Sequence, residues 1–170
     1  ATLAVMLAWT LATAFVVTRV HPGLLAERLG PRQGAKAWDV AIMSVVGLAQ
    51  LARYIVAGLD RRHGWTAAWW VGAPGAAPGA PLLPLQLLAL ALCALGYALV
   101  VWATAANAYF SQIVRIQAER GHAVVSVGPY RFVRHPGYVG AIRFELAAPI
   151  LLCSLPAYAI SSMTVALLVL

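Results

Sequence analysis

The chain has 170 residues, of which 62% are hydrophobic and 10% charged, and its mean hydropathy is +0.82. That balance, set out in apolar runs of about 20 residues, excludes an ordinary soluble domain and puts the chain in the membrane class. The formal charge of +7 is scattered through short loops between the apolar runs, a pattern of membrane orientation rather than of nucleic-acid binding.

Residues 1–17 form the first apolar run, which ends at Thr18-Arg19 and is broken by His21-Pro22-Gly23. It has neither a basic start nor a small-residue cleavage site, so it reads as a membrane helix and not as a signal peptide. A basic loop follows with Arg28, Arg32 and Lys36, and the spacing of Leu24, Leu25 and Leu29 predicts a short helix lying on the membrane surface. Residues 38–59 are the second predicted span, with Trp38 at one interface and Asp60-Arg61-Arg62 at the other. Gln50 and Arg53 lie within it. An arginine at that depth either snorkels its charge to the interface or faces a polar interior. Residues 64–81 are rich in Gly, Ala and Pro, and with Trp65, Trp69 and Trp70 they read as an irregular loop at the headgroups.

The third predicted span, residues 82–106, is the most apolar, with Gln86 its strongest interruption. A polar connection over 107–137 follows, helical at 113–120, stopped by Gly121 and extended at 123–127. Residues 138–153 and 157–170 then predict a fourth and a fifth helix, joined so tightly at Leu155-Pro156 that they must form an antiparallel hairpin. The expected fold is thus an all-α integral membrane protein of about five transmembrane helices in a single domain, 1–170. The chain opens on Ala1 and stops at Leu170 within an apolar run, so we expect it to be trimmed at both ends. Cys93 and Cys153 sit in apolar runs and read as small core residues; no metal site is expected.

Orientation follows from the basic residues. Arg19, Arg28, Arg32 and Lys36 follow the first span and Arg115, Arg120, Arg131 and Arg134 the third, against only Arg61 and Arg62 after the second. This asymmetry puts residues 128–140 on the cytoplasmic side.

That segment, GPYRFVRHPGYVG, is where the polar chemistry concentrates. Pro136 pushes His135 out of the helical region and restarts a helix at Gly137 or Tyr138, leaving free amides at a helix start that attracts anions. Arg131 and Arg134 can fork onto a carboxylate, and Tyr130 and Tyr138 can flank a planar ring or a cation. Basic and aromatic residues also serve as plain interface anchors, but a connection as long as 107–137 is more chain than an anchor needs.

These residues resemble the cytoplasmic signature of the isoprenylcysteine carboxyl methyltransferase family and its phospholipid N-methyltransferase relatives, roughly G-P-Y-x-x-x-R-H-P-x-Y-x-G. Gly128, Pro129, Tyr130, Arg134, His135, Pro136, Tyr138 and Gly140 all match it. Residues 107–130 and 24–39 are similar to bacterial members of the group. The resemblance implies a methyl donor, S-adenosylmethionine, held between the His-Pro segment and an acidic stretch beyond the helical hairpin, which would lie past Leu170. It implies a lipophilic or lipid-attached acceptor, most readily an isoprenylcysteine-type carboxylate, met at the cytoplasmic face of the inner membrane. By motif position, Arg134 would orient the carboxylate, and Gly128, Pro129, Tyr130, His135, Pro136, Tyr138 and Gly140 would form the cofactor pocket.

Arg143 and Glu145 depart from the family pattern. Two residues apart, they cannot share a helical face, so Glu145 would either pair with Arg53 across the bundle or, with it, contact substrate. The rival readings are a methyltransferase acting on a phospholipid amine or a small lipophilic acid or thiol, a nicotinamide-dependent reductase relative, and a membrane scaffold without catalysis.

Overall fold

The computed structural model describes residues 2–25, 36–70, 83–111, 121 and 123–169. Among them every regular element is helical. Helix α1, Thr2–Phe15, runs on through a π-helical turn, Val16–Val20. Helix α2 is Ala37–His63, α3 the single turn Ala67–Trp70, α4 Leu83–Ala106, α5 Pro136–Leu152 and α6 Leu155–Val169, with a 3₁₀ turn at Gly128–Arg131.

Two helices, α2 with 27 residues and α4 with 24, are long and apolar enough to cross a membrane. Only 22% and 28% of their most apolar windows is buried inside the molecule, so most of that apolar surface faces outward, as lipid requires and water would not reward. About five membrane helices were expected, the last two short for a full crossing. Among the described residues two reach full length; α1 with its π-helical turn, which ends at Val20, and α5 and α6 with 17 and 15 residues are shorter than the ~20 that a crossing takes.

The helices pack in the order α1, α4, α5, α6, α2, with α4 against α5 as the most extensive interface. Glycine makes that interface possible. A Cβ on Gly140 would lie 2.5 Å from the Gly96 carbonyl oxygen, and one on Gly96 would lie 2.7 Å from that of Gly140, so the two backbones touch where neither residue has a side chain. Below the crossing, Phe144, Ala147 and Ala148 of α5 pack on Cys93 of α4 to form the apolar core. Three aromatic rings then run through the bundle: Trp9 of α1 stacks on Tyr97 of α4 at 4.7 Å, and Tyr97 on Phe144 of α5 at 4.1 Å.

Two helix ends are set by left-handed residues. Gly64, at φ +68°, closes α2 and donates its N–H to the Asp60 carbonyl. Cys153, at φ 53°, makes the corner between α5 and α6 without glycine, and Ser154 donates its N–H back to the Pro149 carbonyl at 3.2 Å. The tight hairpin foreseen from Leu155-Pro156 is therefore present, with α6 starting at Leu155 itself. The far end of α2 is fastened to this hairpin: buried Asp60 accepts from the Thr66 N–H at 2.9 Å and from its hydroxyl at 2.6 Å, and Thr66 Oγ1 accepts from the Leu155 N–H at 3.5 Å.

The predicted helix at 113–120 and the greater part of the surface helix and of the 64–81 loop lie outside the described residues. The extended approach at 123–127 carries no regular secondary structure, as expected, and Gly121 takes the positive φ (+65°) of a helix stop.

Candidate functional site

The signature segment sits where α4 ends and α5 begins, and its residues divide into an inner and an outer set. Gly128 has φ +60°, a conformation open to glycine at little cost, and a Cβ there would meet the Ala106 Cβ at 3.0 Å and Trp102 Nε1 at 3.4 Å. Pro129 is buried in the 3₁₀ turn, and Pro136 is buried as the first residue of α5, where its missing N–H costs nothing. Gly140 belongs to the α4–α5 crossing. Tyr130 is half-buried and its hydroxyl accepts from the Asn107 side-chain amide at 3.2 Å. Burial pushes the Tyr130 phenol above its ordinary value, with the Asn107 bond pulling the other way, so the ring stays neutral at physiological pH.

The outer set is Arg131, Arg134, His135 and Tyr138, all exposed. His135 caps α5 with φ −127°, ψ 65°, and its ring lies 5.7 Å from that of Tyr138, tilted by 34°. The Val139 N–H bonds back to the His135 carbonyl at 3.2 Å. Helix geometry then leaves the N–H groups of Gly137 and Tyr138 without an intrahelical acceptor. No acidic residue occurs between Gly121 and Phe144 in sequence. Two guanidinium groups, an imidazole and a phenol thus stand exposed within residues 131–138, at and just before the N-terminus of α5, a donor set that can take an anion.

Sequence reasoning missed the residues that hold this surface in place. Asn107, just past α4, donates to Tyr130, while its side-chain oxygen accepts from the Tyr109 N–H at 2.8 Å and its carbonyl from the Phe110 N–H at 3.1 Å. Tyr109 in turn donates its hydroxyl to the Gly121 carbonyl at 2.9 Å. The Phe110 ring lies so close to Gly137 that a Cβ there would be 2.8 Å from it. His21 Nε2 meets the Ala105 carbonyl at 2.8 Å, tying the end of the π-helical turn to the same corner. An asparagine directly after an apolar run was the available signal for this hub.

Arg53 and Glu145 lie apart from the surface, inside the bundle, at 1% and 2% exposure. Arg53 does not snorkel: it forms an ion pair with Glu145 through Nη1. The same Nη1 donates to Ser161 Oγ at 3.2 Å, and Nη2 donates to the Tyr54 hydroxyl at 3.1 Å. Gln50 donates to the second carboxylate oxygen of Glu145 at 3.2 Å. The guanidinium also lies 4.8 Å from the Tyr54 ring centre and 5.3 Å from that of Phe144, at the end of the aromatic row. Arg143 is exposed on another side of α5, as its spacing from Glu145 requires. Among the described residues no group of three or more His, Cys, Asp or Glu side chains is placed to hold a metal.

A family model described as the isoprenylcysteine carboxyl methyltransferase family matches residues 87–170, which take in most of α4, the signature segment and the α5–α6 hairpin. Over those residues, just under half of the chain, it is similar to this family. Two similar curated proteins, each named "Probable protein-S-isoprenylcysteine O-methyltransferase", come from Oryza sativa subsp. indica and Oryza sativa subsp. japonica. Each is 36% identical over 45 residues, which make up 26% of this chain and 24% of the relative. The match therefore spans about a quarter of the length of these isoprenylcysteine methyltransferases. Both are plant proteins, and they lend no support to the expected bacterial character of the chain. No solved structure matches the chain.

Proposed function

We propose that this protein transfers a methyl group from S-adenosylmethionine to a carboxylate carried on a lipophilic or lipid-attached acceptor, at the cytoplasmic surface of a membrane that its helices cross. The observation that carries the reading is the division of the signature: its glycines and prolines build a turn under which nothing else fits, and its arginine, histidine and second tyrosine stand outside at the start of α5. A water-soluble donor and a membrane-bound acceptor can meet only where aqueous phase and bilayer adjoin, and an exposed polar turn between two apolar helices, α4 and α5, would suit that requirement.

The donor contributes an activated methyl on a sulfonium. His135 and Tyr138, with the free amides of Gly137 and Tyr138, would hold its amino-acid and ring portions, and Gly128, Pro129, Tyr130, Pro136 and Gly140 would give the pocket its shape. Arg134 would orient the acceptor carboxylate, which needs no base because it is already an anion at neutral pH. The residues' share of the catalysis would then be alignment and exclusion of water.

The test is calorimetric titration of S-adenosylhomocysteine into the detergent-solubilised protein, beside a methyl-transfer assay with lipid-linked carboxylate and amine acceptors. Arg134→Ala is expected to keep binding and lose at least tenfold in transfer, and His135→Ala to lose binding by about tenfold. Transfer unchanged in the Arg134 variant would remove its assigned role. Absence of binding by the unaltered full-length protein would remove the proposal.

A further inference from the structure

Helix α5 carries the signature histidine at its start and Glu145 ten positions further on, about 15 Å along the helix axis. Gly140 lies midway. On one side α5 is held to α4 by the glycine contact and by Phe144, Ala147 and Ala148. On its other side α2 leans chiefly on α6, and among the described residues its hydrogen bonds to α5 are those of Gln50 and Arg53 to Glu145. The hairpin corner already joins α5 to α6, so what Glu145 adds is a directional contact between α5 and α2 mid-bundle, carried on to Ser161 of α6 through Arg53.

Packing of small apolar residues resists separation but resists sliding and rotation poorly, because no single contact is directional. A buried ion pair has the opposite character: its net stabilisation is small once desolvation is counted, yet it admits one geometry. Both oxygens of Glu145 and both terminal nitrogens of Arg53 are already engaged by protein side chains. Substrate contact, the other expectation for this pair, would have to displace them or use Arg53 Nε, which is buried without a partner.

We propose that Arg53 and Glu145 are positioning residues for the methyltransferase site: by fixing α5 in height and rotation against α2 and α6, they set where the first turn of α5 presents His135 and Tyr138. The consequence for catalysis rests on the proposed function, whereas the mechanical claim does not.

The test compares the full-length protein with Glu145→Gln and with the double variant Arg53→Met/Glu145→Met. Three quantities are measured in detergent: the midpoint of thermal unfolding, amide hydrogen exchange over residues 128–138, and S-adenosylhomocysteine affinity. Glu145→Gln leaves a buried guanidinium unpaired and is expected to lower the midpoint. The double variant, with no charge left to desolvate, is expected to recover the midpoint, while exchange in 128–138 quickens and affinity falls, each by about tenfold. Recovery of the midpoint with unaltered exchange in 128–138 would overturn the proposal, as would exchange quickened equally throughout α4, since either marks the pair as merely structural. Should the double variant fail to fold, Glu145→Asp, which keeps the charge and shortens its reach, is read by the same exchange criterion. If the unaltered protein binds no S-adenosylhomocysteine, the proposed function fails and the exchange comparison still decides this inference.

Discussion

Tyr130 shows how a signature residue can serve the site from beneath it. Its hydroxyl takes the Asn107 amide, and Asn107 also organises the turn that carries Phe110 to Gly137. Tyr130→Phe removes that acceptor and is expected to cost about 1 kcal/mol at neutral pH, read from thermal unfolding in detergent. The alkaline limb should change as well. Because the folded-state pKa lies above the ordinary value near 10, the Tyr130 contribution is whole below that value and is lost as pH rises through the folded-state pKa. The phenylalanine variant should therefore lose less stability above pH ~10 than the unaltered protein does. An undiminished alkaline loss would show that other groups govern it.

At the scale of elements, the α4–α5 crossing brings two helix backbones into direct contact. An added methyl on either Gly96 or Gly140 meets backbone, which cannot swing aside as a side chain would. Gly140→Ala and Gly96→Ala are each expected to cost about 3 kcal/mol and to weaken S-adenosylhomocysteine binding in step, as α5 is pushed off α4. A variant of either kind with an unchanged unfolding midpoint would contradict the crossing. The sequence alone made most helix boundaries readable to within a few residues, since hydropathy and proline placement are local signals. It marked Gly140 by its place in a motif, but the Gly96 backbone that explains its missing side chain lies 44 positions away, and no local pattern carries that. Pro149 escaped notice for a related reason: inside α5 it removes the ordinary hydrogen bond to the Glu145 carbonyl, and the surrounding packing, not local propensity, makes this tolerable. The pairing of Arg53 with Glu145 was legible as one of two options because costly charges in apolar runs have few acceptable partners. Gln50, Tyr54 and Ser161 completed the cluster only once the helices were placed.

For the whole molecule, the helices give opposite fates to the two ends of α2 and α5. The two helices run the same way, and both finish beside the Asp60, Thr66 and Leu155 fastening. If α2 and α4 cross a membrane as their length and outward apolar faces allow, Arg131 and Trp65 lie on opposite sides of it. Cysteines introduced one at a time at these two positions, in a background with Cys93 and Cys153 replaced by alanine, should be labelled by an impermeant maleimide from opposite faces of sealed vesicles. The cysteine of Arg131→Cys is expected to react from the cytoplasmic face. Labelling of both from the same face would exclude the crossing.

The glycines at 137 and 140 differ in how evolution can treat them. A side chain at position 137 would collide with the ring of Phe110, so a second substitution that shrinks Phe110 can relieve it, and the two positions are free to vary together. A side chain at position 140 would collide with main chain, for which no second substitution offers relief. Genetic suppressors should therefore exist for changes at the first glycine and be lacking for changes at the second, three residues along the same helix.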